Sequence, residues 1–325
     1  VPWDTVGDFA DPSSERENSH PIDEAGWLGG GTTLPYMHSG ETDNHYMQMA
    51  TNLSSVNGQP FVRGRRVHHT SMVTGAHDEG PENGTFTELA GIAGPSYVNA
   101  SCDACHTRNG RAPVAAIGEP LDKWVFKVGS ADDGSDPERG RVLQPSATGG
   151  GAGEGQVSIA QWVEDDEGLR SPVYAFTNGQ PERFSARLAP PLVGMGLLEA
   201  VAESTVLEWH DPDDADGDGI SGRTNTVWDE VAGTTAIGRF GWKANVASVR
   251  QQTAGAFSGD VGITSPVFPD ADCPEAQTAC AAAPSGGSPE IDDDTFDAVV
   301  FYTRVLSVPA GRDADDKSVR RGAQV

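Results

Sequence analysis

"SYVNASCDACHTRNGRAP", residues 96–113, is the stretch on which the reading of this chain turns. Cys102, Cys105 and His106 within it spell C-x-x-C-H, the attachment signature of a c-type haem. The chemistry needs that spacing. Two thiols separated by two residues share one helical turn, where both reach the vinyl groups on one porphyrin edge, and the next residue, His106, falls beneath the ring as proximal iron ligand. A zinc half-site would want a second ligand pair at similar spacing, which Cys273 and Cys280 do not supply. A thioredoxin-like redox pair would want a βαβ context, which is absent. The motif therefore predicts one haem c in this chain.

The sixth iron ligand is left open by the residues. Methionine, histidine or a vacant position would imply a high-potential carrier, a low-potential carrier or a reactive site respectively. His68 or His69, in "VRGRRVHH" (62–69), is the expected group near the haem, with Met72 and Met195 as further candidates. A methionine on an apolar face is more often core packing.

A second signal is "DPDDADGDGISGRTN", residues 211–225. With Asp214 as position 1, Asp216 falls at 3, Asp218 at 5, Gly219 at 6, the Ile220 carbonyl at 7 and Asn225 at 12. This is calcium-loop spacing with glycine at the sharp turn. Asn225 stands where a bidentate glutamate is usual, so the last ligand is expected to bind weakly or to come from Asp229 or Glu230. The competing reading is a solvated acidic turn. Cys273 and Cys280, in "DADCPEAQTACAAAP" (270–284), are expected to form a local disulfide.

Size and charge bound the rest. A chain of 325 residues buries a substantial core, while 40 glycines and 22 prolines describe a loop-rich one. With 48 acidic against 22 basic residues the net charge is −26, which repels nucleic acid and anionic membranes and suits either a basic redox partner or a salty habitat. No apolar run is long enough to span a bilayer. The chain begins at Val1 without a leader, and together with covalent haem and a disulfide this suggests a mature, exported form, periplasmic or extracellular.

Residues 1–118 read as a polar N-terminal arm followed by the haem-attachment region, and 119–187 as a β-rich insert built on "KWVFKV", "QVSIAQWV" and "PVYAFT". "SATGGGAGEG" (146–155) reads as a flexible tip. Residues 188–325 read as a helical region with the calcium loop. In it Leu192, Met195, Leu198 and Val201 form one helical stripe, and 292–308 is a helix capped by Asp292–Asp294 and ended by Pro309. The fold class is thus α+β and loop-rich: a cytochrome-c-like helical haem domain with a β-rich insert and a calcium loop.

Together "NASCDACHTRNGRAP", "APPLVGMGLLEAV", "DPDDADGDGISGR", "GRFGWKANVASVRQQTAGAFSGDVGITSPVFP" and "DAVVFYTRVLSVPAGRD" resemble the di-haem oxidoreductase family of peroxidase-like proteins, itself distantly similar to bacterial di-haem cytochrome c peroxidases and MauG-like enzymes. The resemblance covers roughly residues 85–325. It implies a haem on Cys102, Cys105 and His106, and a second C-x-x-C-H on a following cytochrome domain. No second motif occurs before the final "DDKSVRRGAQV", so the expectation is a longer chain or one haem module of a larger assembly. By analogy Trp242 is the aromatic expected near the haem, as an electron relay, and Lys243, Arg239, Gln251 and Gln252 offer polar groups. The expected function is electron transfer at the bound haem in support of peroxide reduction, with a redox protein or second haem module as partner. Two rivals are a non-catalytic extracellular electron-conduit or filament subunit that self-associates, and a redox-silent calcium-dependent binding module.

Overall fold

A computed structural model of the chain describes residues 19–21, 24–38, 42–132, 134–149, 151–311 and 313–322. The start of the expected arm, residues 1–18, lies outside them. The described N-terminal segment carries β1 (Ser19–Pro21), β2 (Thr33–Leu34) and β3 (Tyr36–His38), then helix α1 (Gly58–His68). Strand β4 (Ser96–Tyr97) leads into α2 (Cys102–Cys105), the single turn that holds the cysteine pair. The insert follows as β5 (Trp124–Gly129), β6 (Ser146–Ala147), β7 (Val157–Glu164), β8 (Arg170–Phe176) and β9 (Arg183–Leu188). Beyond it run α3 (Met195–Ala200), α4 (Glu203–Glu208), β10 (Thr226–Asp229), β11 (Thr234–Ile237), α5 (Val249–Ala256), α6 (Thr278–Ala281), α7 (Asp293–Arg304), β12 (Val308–Pro309) and α8 (Lys317–Gly322). None of the helices is long and apolar enough to cross a membrane.

The chain is mixed α and β, and among the described residues every sheet is two-stranded. In the insert, β5 pairs antiparallel with β9 and β7 with β8, the latter through a bulge between Ile159 and Gln161. Alternation along β5 buries Phe126 and Val128. They join Leu121, Leu143, Val157 and Ile159 in a cluster separate from the helical core. The two ends of the 146–155 segment are pinned rather than free. β6 pairs with β4, and the Glu154 carboxylate accepts from the Gln144 N–H at 2.6 Å and from the Gln277 amide. The hairpin tip falls at 165–168 instead, where the Asp165 side chain accepts the Glu167 and Leu169 N–H groups.

Helix α7 is the axis of the helical part. Asp292 caps it by accepting the Thr295 N–H, and Phe296, Val299, Val300 and Tyr302 are buried on its inner side. It ends at Arg304, before the expected 308. Beyond that point the chain is drawn into extended pairing with the N-terminal segment. Val305 O accepts Ala50 N–H, Ser307 N–H donates to Gln48 O, and β12 runs parallel to β2. Two of the neighbours of α7 approach through glycine: a Cβ at Gly64 of α1 would overlap the Ala298 carbonyl, and one at Gly196 of α3 the Arg304 carbonyl.

The expected single helical stripe over Leu192–Val201 is broken into α3 and α4. Gly194 takes a left-handed φ of 78° before α3, and Val201 and Ala202 are extended between the helices. The Arg239 guanidinium donates to the carbonyls of Leu198 and Val201, satisfying the end of α3. Leu198 and Val201 consequently stay 40% and 37% exposed, while Met195 packs on the main core.

Candidate functional site

Strand β4 and the residues after it are seated on the turn that follows α5. Gly262 (φ 74°) lies so close that a Cβ would overlap the Ser96 carbonyl, and the Asp260 carbonyl accepts the Val98 and Asn99 N–H groups. Ser101 then caps α2 by accepting Ala104 N–H at 3.3 Å. Cys102 and Cys105 are not bonded to each other. Burial, followed by the nearby Asp260 carboxyl, pushes both thiols up to about 12. A reactive C-x-x-C redox pair has the opposite shift. The Asp260 carboxyl is itself raised by burial, and its Oδ1 is buried without a partner.

Just past α2, Arg108 and Asn109 both adopt left-handed φ (55° and 59°), a strained geometry for side chains of this size. It is held by specific bonds. Arg108 N–H donates to Asp103 Oδ1 at 2.8 Å, and the fully buried Asn109 amide donates to Tyr46 O at 2.9 Å and to Tyr302 Oη at 2.6 Å. This turn aims His106 at Pro190, whose carbonyl accepts from His106 Nδ1 at 2.8 Å. Fixing Nδ1 as the donor leaves Nε2 as the lone-pair nitrogen, the arrangement a metal-ligating histidine requires.

Opposite His106 stands the end of α1. His68 is 2% exposed, and neither ring nitrogen has a hydrogen-bond partner. Its ring centroid lies 6.5 Å from that of His106, 5.4 Å from Tyr302 and 5.1 Å from His69. Burial, then the neighbouring His69 and His106, holds its pKa well below the usual imidazole value, so the ring is neutral and carries a free lone pair.

His69 is differently placed. Its Nδ1 lies 3.1 Å from an Asp78 oxygen and 3.4 Å from Asp103, its Nε2 faces Tyr302 Oη at 3.5 Å, and its ring stacks on His77 at 5.7 Å. Burial, then the hydrogen bond to Asp78, raises Asp103 to about 6. Asp78, for which burial works the other way, is held below the carboxylate range by hydrogen bonds from His69 and Asp103. Glu79 closes this side with ion pairs to Arg65 and to Arg108 (3.2 Å). The donor set therefore fits a covalently held haem: two neutral thiols on one turn, one imidazole oriented by a carbonyl, and a second, orphaned imidazole across from it. Asp78, Asp103, Asn109, Pro190 and Tyr302 were not singled out by sequence, because they join the site only when α1, α2 and α7 meet.

The acidic loop lies elsewhere, on the surface. Oxygens of Asp211, Asp214 and Asp216 fall within 4.8 Å of one another. Gly219 has a φ of 87° and donates to Asp214 Oδ1 at 3.1 Å, and Ile220 N–H donates to Asp218 Oδ1 at 2.7 Å. Asp211, which preceded the sequence count, accepts the Ala215 and Asp216 N–H groups. Its pairing with Gly222 across the loop was the missing signal. Asn225 donates its amide to the Lys243 and Ala244 carbonyls. Asp229 accepts backbone N–H groups of its own turn, and Glu230 accepts Trp228 Nε1–H.

Trp242 is 59% exposed in the turn closed by the Phe240–Val246 bridge. Gln251 is buried and donates to the Trp228 carbonyl, and Met72 is wholly buried in the main core. Cys273 and Cys280 are joined as a disulfide, with Cα atoms 5.6 Å apart.

The family model described as "Di-haem oxidoreductase, putative peroxidase" matches residues 170–325. The matched part contains Pro190, Asp260 and Tyr302, whereas Cys102, Cys105 and His106 precede it. No curated protein and no solved structure matches the chain.

Proposed function

Residues 170–325 make the chain a member of the di-haem oxidoreductase family, and from that premise we propose that it is an exported c-type cytochrome. In this reading it carries one haem on Cys102 and Cys105, with His106 as proximal ligand, and moves single electrons in support of peroxide reduction. Bound haem would supply a one-electron couple whose potential is set by its axial ligands and surroundings. The chain's residues do the rest. The two thiols of α2 would tether the porphyrin edge, the Pro190 carbonyl fixes the His106 ring and raises its basicity, and Asp103 and Asn109 lock the turn between them. The observation that carries the reading is the His106 Nδ1 to Pro190 bond at 2.8 Å, which leaves Nε2 as the nitrogen with a lone pair for a metal. Partners would be a redox protein or a second haem module. Calcium at Asp211, Asp214, Asp216 and the Ile220 carbonyl would neutralise a dense negative loop and stiffen it.

The intact exported chain tests the haem assignment. Its mass is expected to exceed the polypeptide by one haem, and Cys102→Ser with Cys105→Ser is expected to abolish the excess. An apo mass from cells competent in haem attachment would end the cytochrome reading. The rival, a non-catalytic electron conduit, predicts haem attachment without hydrogen peroxide turnover in the full assembly.

A further inference from the structure

We infer that His68 is the second axial ligand of the iron held at Cys102 and Cys105, so that the iron sits between two imidazoles and exchanges electrons instead of binding peroxide. This rests on the haem reading above and deepens it.

A buried polar group without a partner is unfavourable, and His68 leaves both ring nitrogens unpaired at 2% exposure. Its polar neighbours are already engaged. Tyr302 Oη is held by Asn109 at 2.6 Å and faces His69, and His69 is held by Asp78. His106 has only Nε2 left, since Nδ1 is on Pro190. The imidazole nitrogens left unengaged in this cluster are thus those of His68 and Nε2 of His106, on rings tilted 53° to one another.

Separation decides what joins them. A direct hydrogen bond of about 2.9 Å would put the two ring centroids roughly 5.2 Å apart. Two imidazoles on opposite sides of one metal, each at about 2.0–2.1 Å from it, have centroids about 6.4 Å apart. The observed 6.5 Å matches the metal-bridged spacing and exceeds the hydrogen-bonded one.

The same geometry rejects the other candidates. His69 Nδ1 is committed to carboxylates and its ring to His77. Met72 and Met195 lie in or against the main core, among Ile92, Phe296 and Val299. Position 68 is also mechanically fixed. It is the last residue of α1, which is pressed onto α7 through Gly64 and through Phe61 against the Tyr302 ring at 4.9 Å. A ligand on a clamped helix end is not a displaceable one, and with both axial positions filled peroxide has no place to bind. Peroxide reduction then falls to another iron, which this one supplies.

The test is made on the full, haem-loaded chain by visible and electron paramagnetic resonance spectroscopy. Wild-type ferric protein is expected to be low-spin, and the ferrous form is expected to bind carbon monoxide poorly. His68→Gly should lose the low-spin signal and gain carbon monoxide binding, and added imidazole should restore the low-spin signal. His69→Gly should remain low-spin. His68→Met, which keeps the helix filled, should stay low-spin with a raised reduction potential. Haem attached but still low-spin with unchanged g values in His68→Gly would overturn the inference and leave the haem reading standing. No attached haem would overturn both.

Discussion

The buried histidine cluster and the exposed acidic loop are two groupings of polar side chains that use their hydrogen-bonding capacity in opposite ways. Around His68 the protein leaves imidazole nitrogens unpartnered in a place water does not reach, a deficit only a ligand repairs. Around Asp214 each named carboxylate already accepts backbone N–H groups, and the remaining lone pairs face solvent. The first site has an internal requirement for a partner. The second has a shape ready for a cation and can also persist as a turn. Spacing in the sequence is equally suggestive for both, so the difference comes from burial.

The largest effect is expected at Tyr302, which is fully buried and bridges Asn109 to His69 and His68. Tyr302→Ala should destabilise the chain by about 3–5 kcal/mol and alter the haem spectrum. Tyr302→Phe should keep most of the stability while leaving the Asn109 amide one partner short. Chemical denaturation read alongside the visible spectrum checks both. If Tyr302→Ala unfolded at the wild-type denaturant concentration, the site would not be the mechanical centre described here.

Next in size is the acidic loop. A calcium ion held at a free concentration a hundredfold above its dissociation constant stabilises the native state by about 2.7 kcal/mol. Chelator should therefore lower the melting temperature by several degrees, and Asp216→Asn should remove most of that sensitivity. Indifference to chelator would leave the loop a solvated acidic turn, whose carboxylates serve the backbone alone.

How much of this was legible follows from the range over which each signal acts. The C-x-x-C-H turn, the α7 cap at Asp292, the β-forming segments of the insert and the Cys273–Cys280 pair are local patterns, and each is present in the structure. What escaped were features made by distant segments. Leu192–Val201 looked like one helix because its apolar period says so, and the break is set by Gly194 and by Arg239, some 40 residues later. The 292–308 helix looked four residues too long, because pairing with residues 33–50 ends it. His68 and His69 could not be told apart in "RRVHHTSM". The difference lies in Asp78, Asp103 and Tyr302, which only the folded chain brings to one of them.

The smallest expected effect supplies the control that the acidic loop lacks. Asp292 also belongs to an exposed run of aspartates, and its carboxylate also accepts a backbone N–H, that of Thr295 at 2.7 Å. Here the role is complete without an ion, because the N–H belongs to the first turn of α7 and the charge faces the positive end of the helix. Hydrogen bonding to the Thr295 backbone holds the Asp292 carboxyl below its ordinary value. A depressed folded pKa means the contribution is present above the unfolded value of about 3.9 and is lost as pH falls below it. Asp292→Ala should accordingly cost about 1 kcal/mol near neutral pH, with no dependence on chelator, and the difference from wild type should vanish under acid. Melting curves at neutral and acidic pH, with and without chelator, measure this directly. If Asp292→Ala made the protein insensitive to chelator, the calcium response would belong to α7 and not to the loop at 211–225.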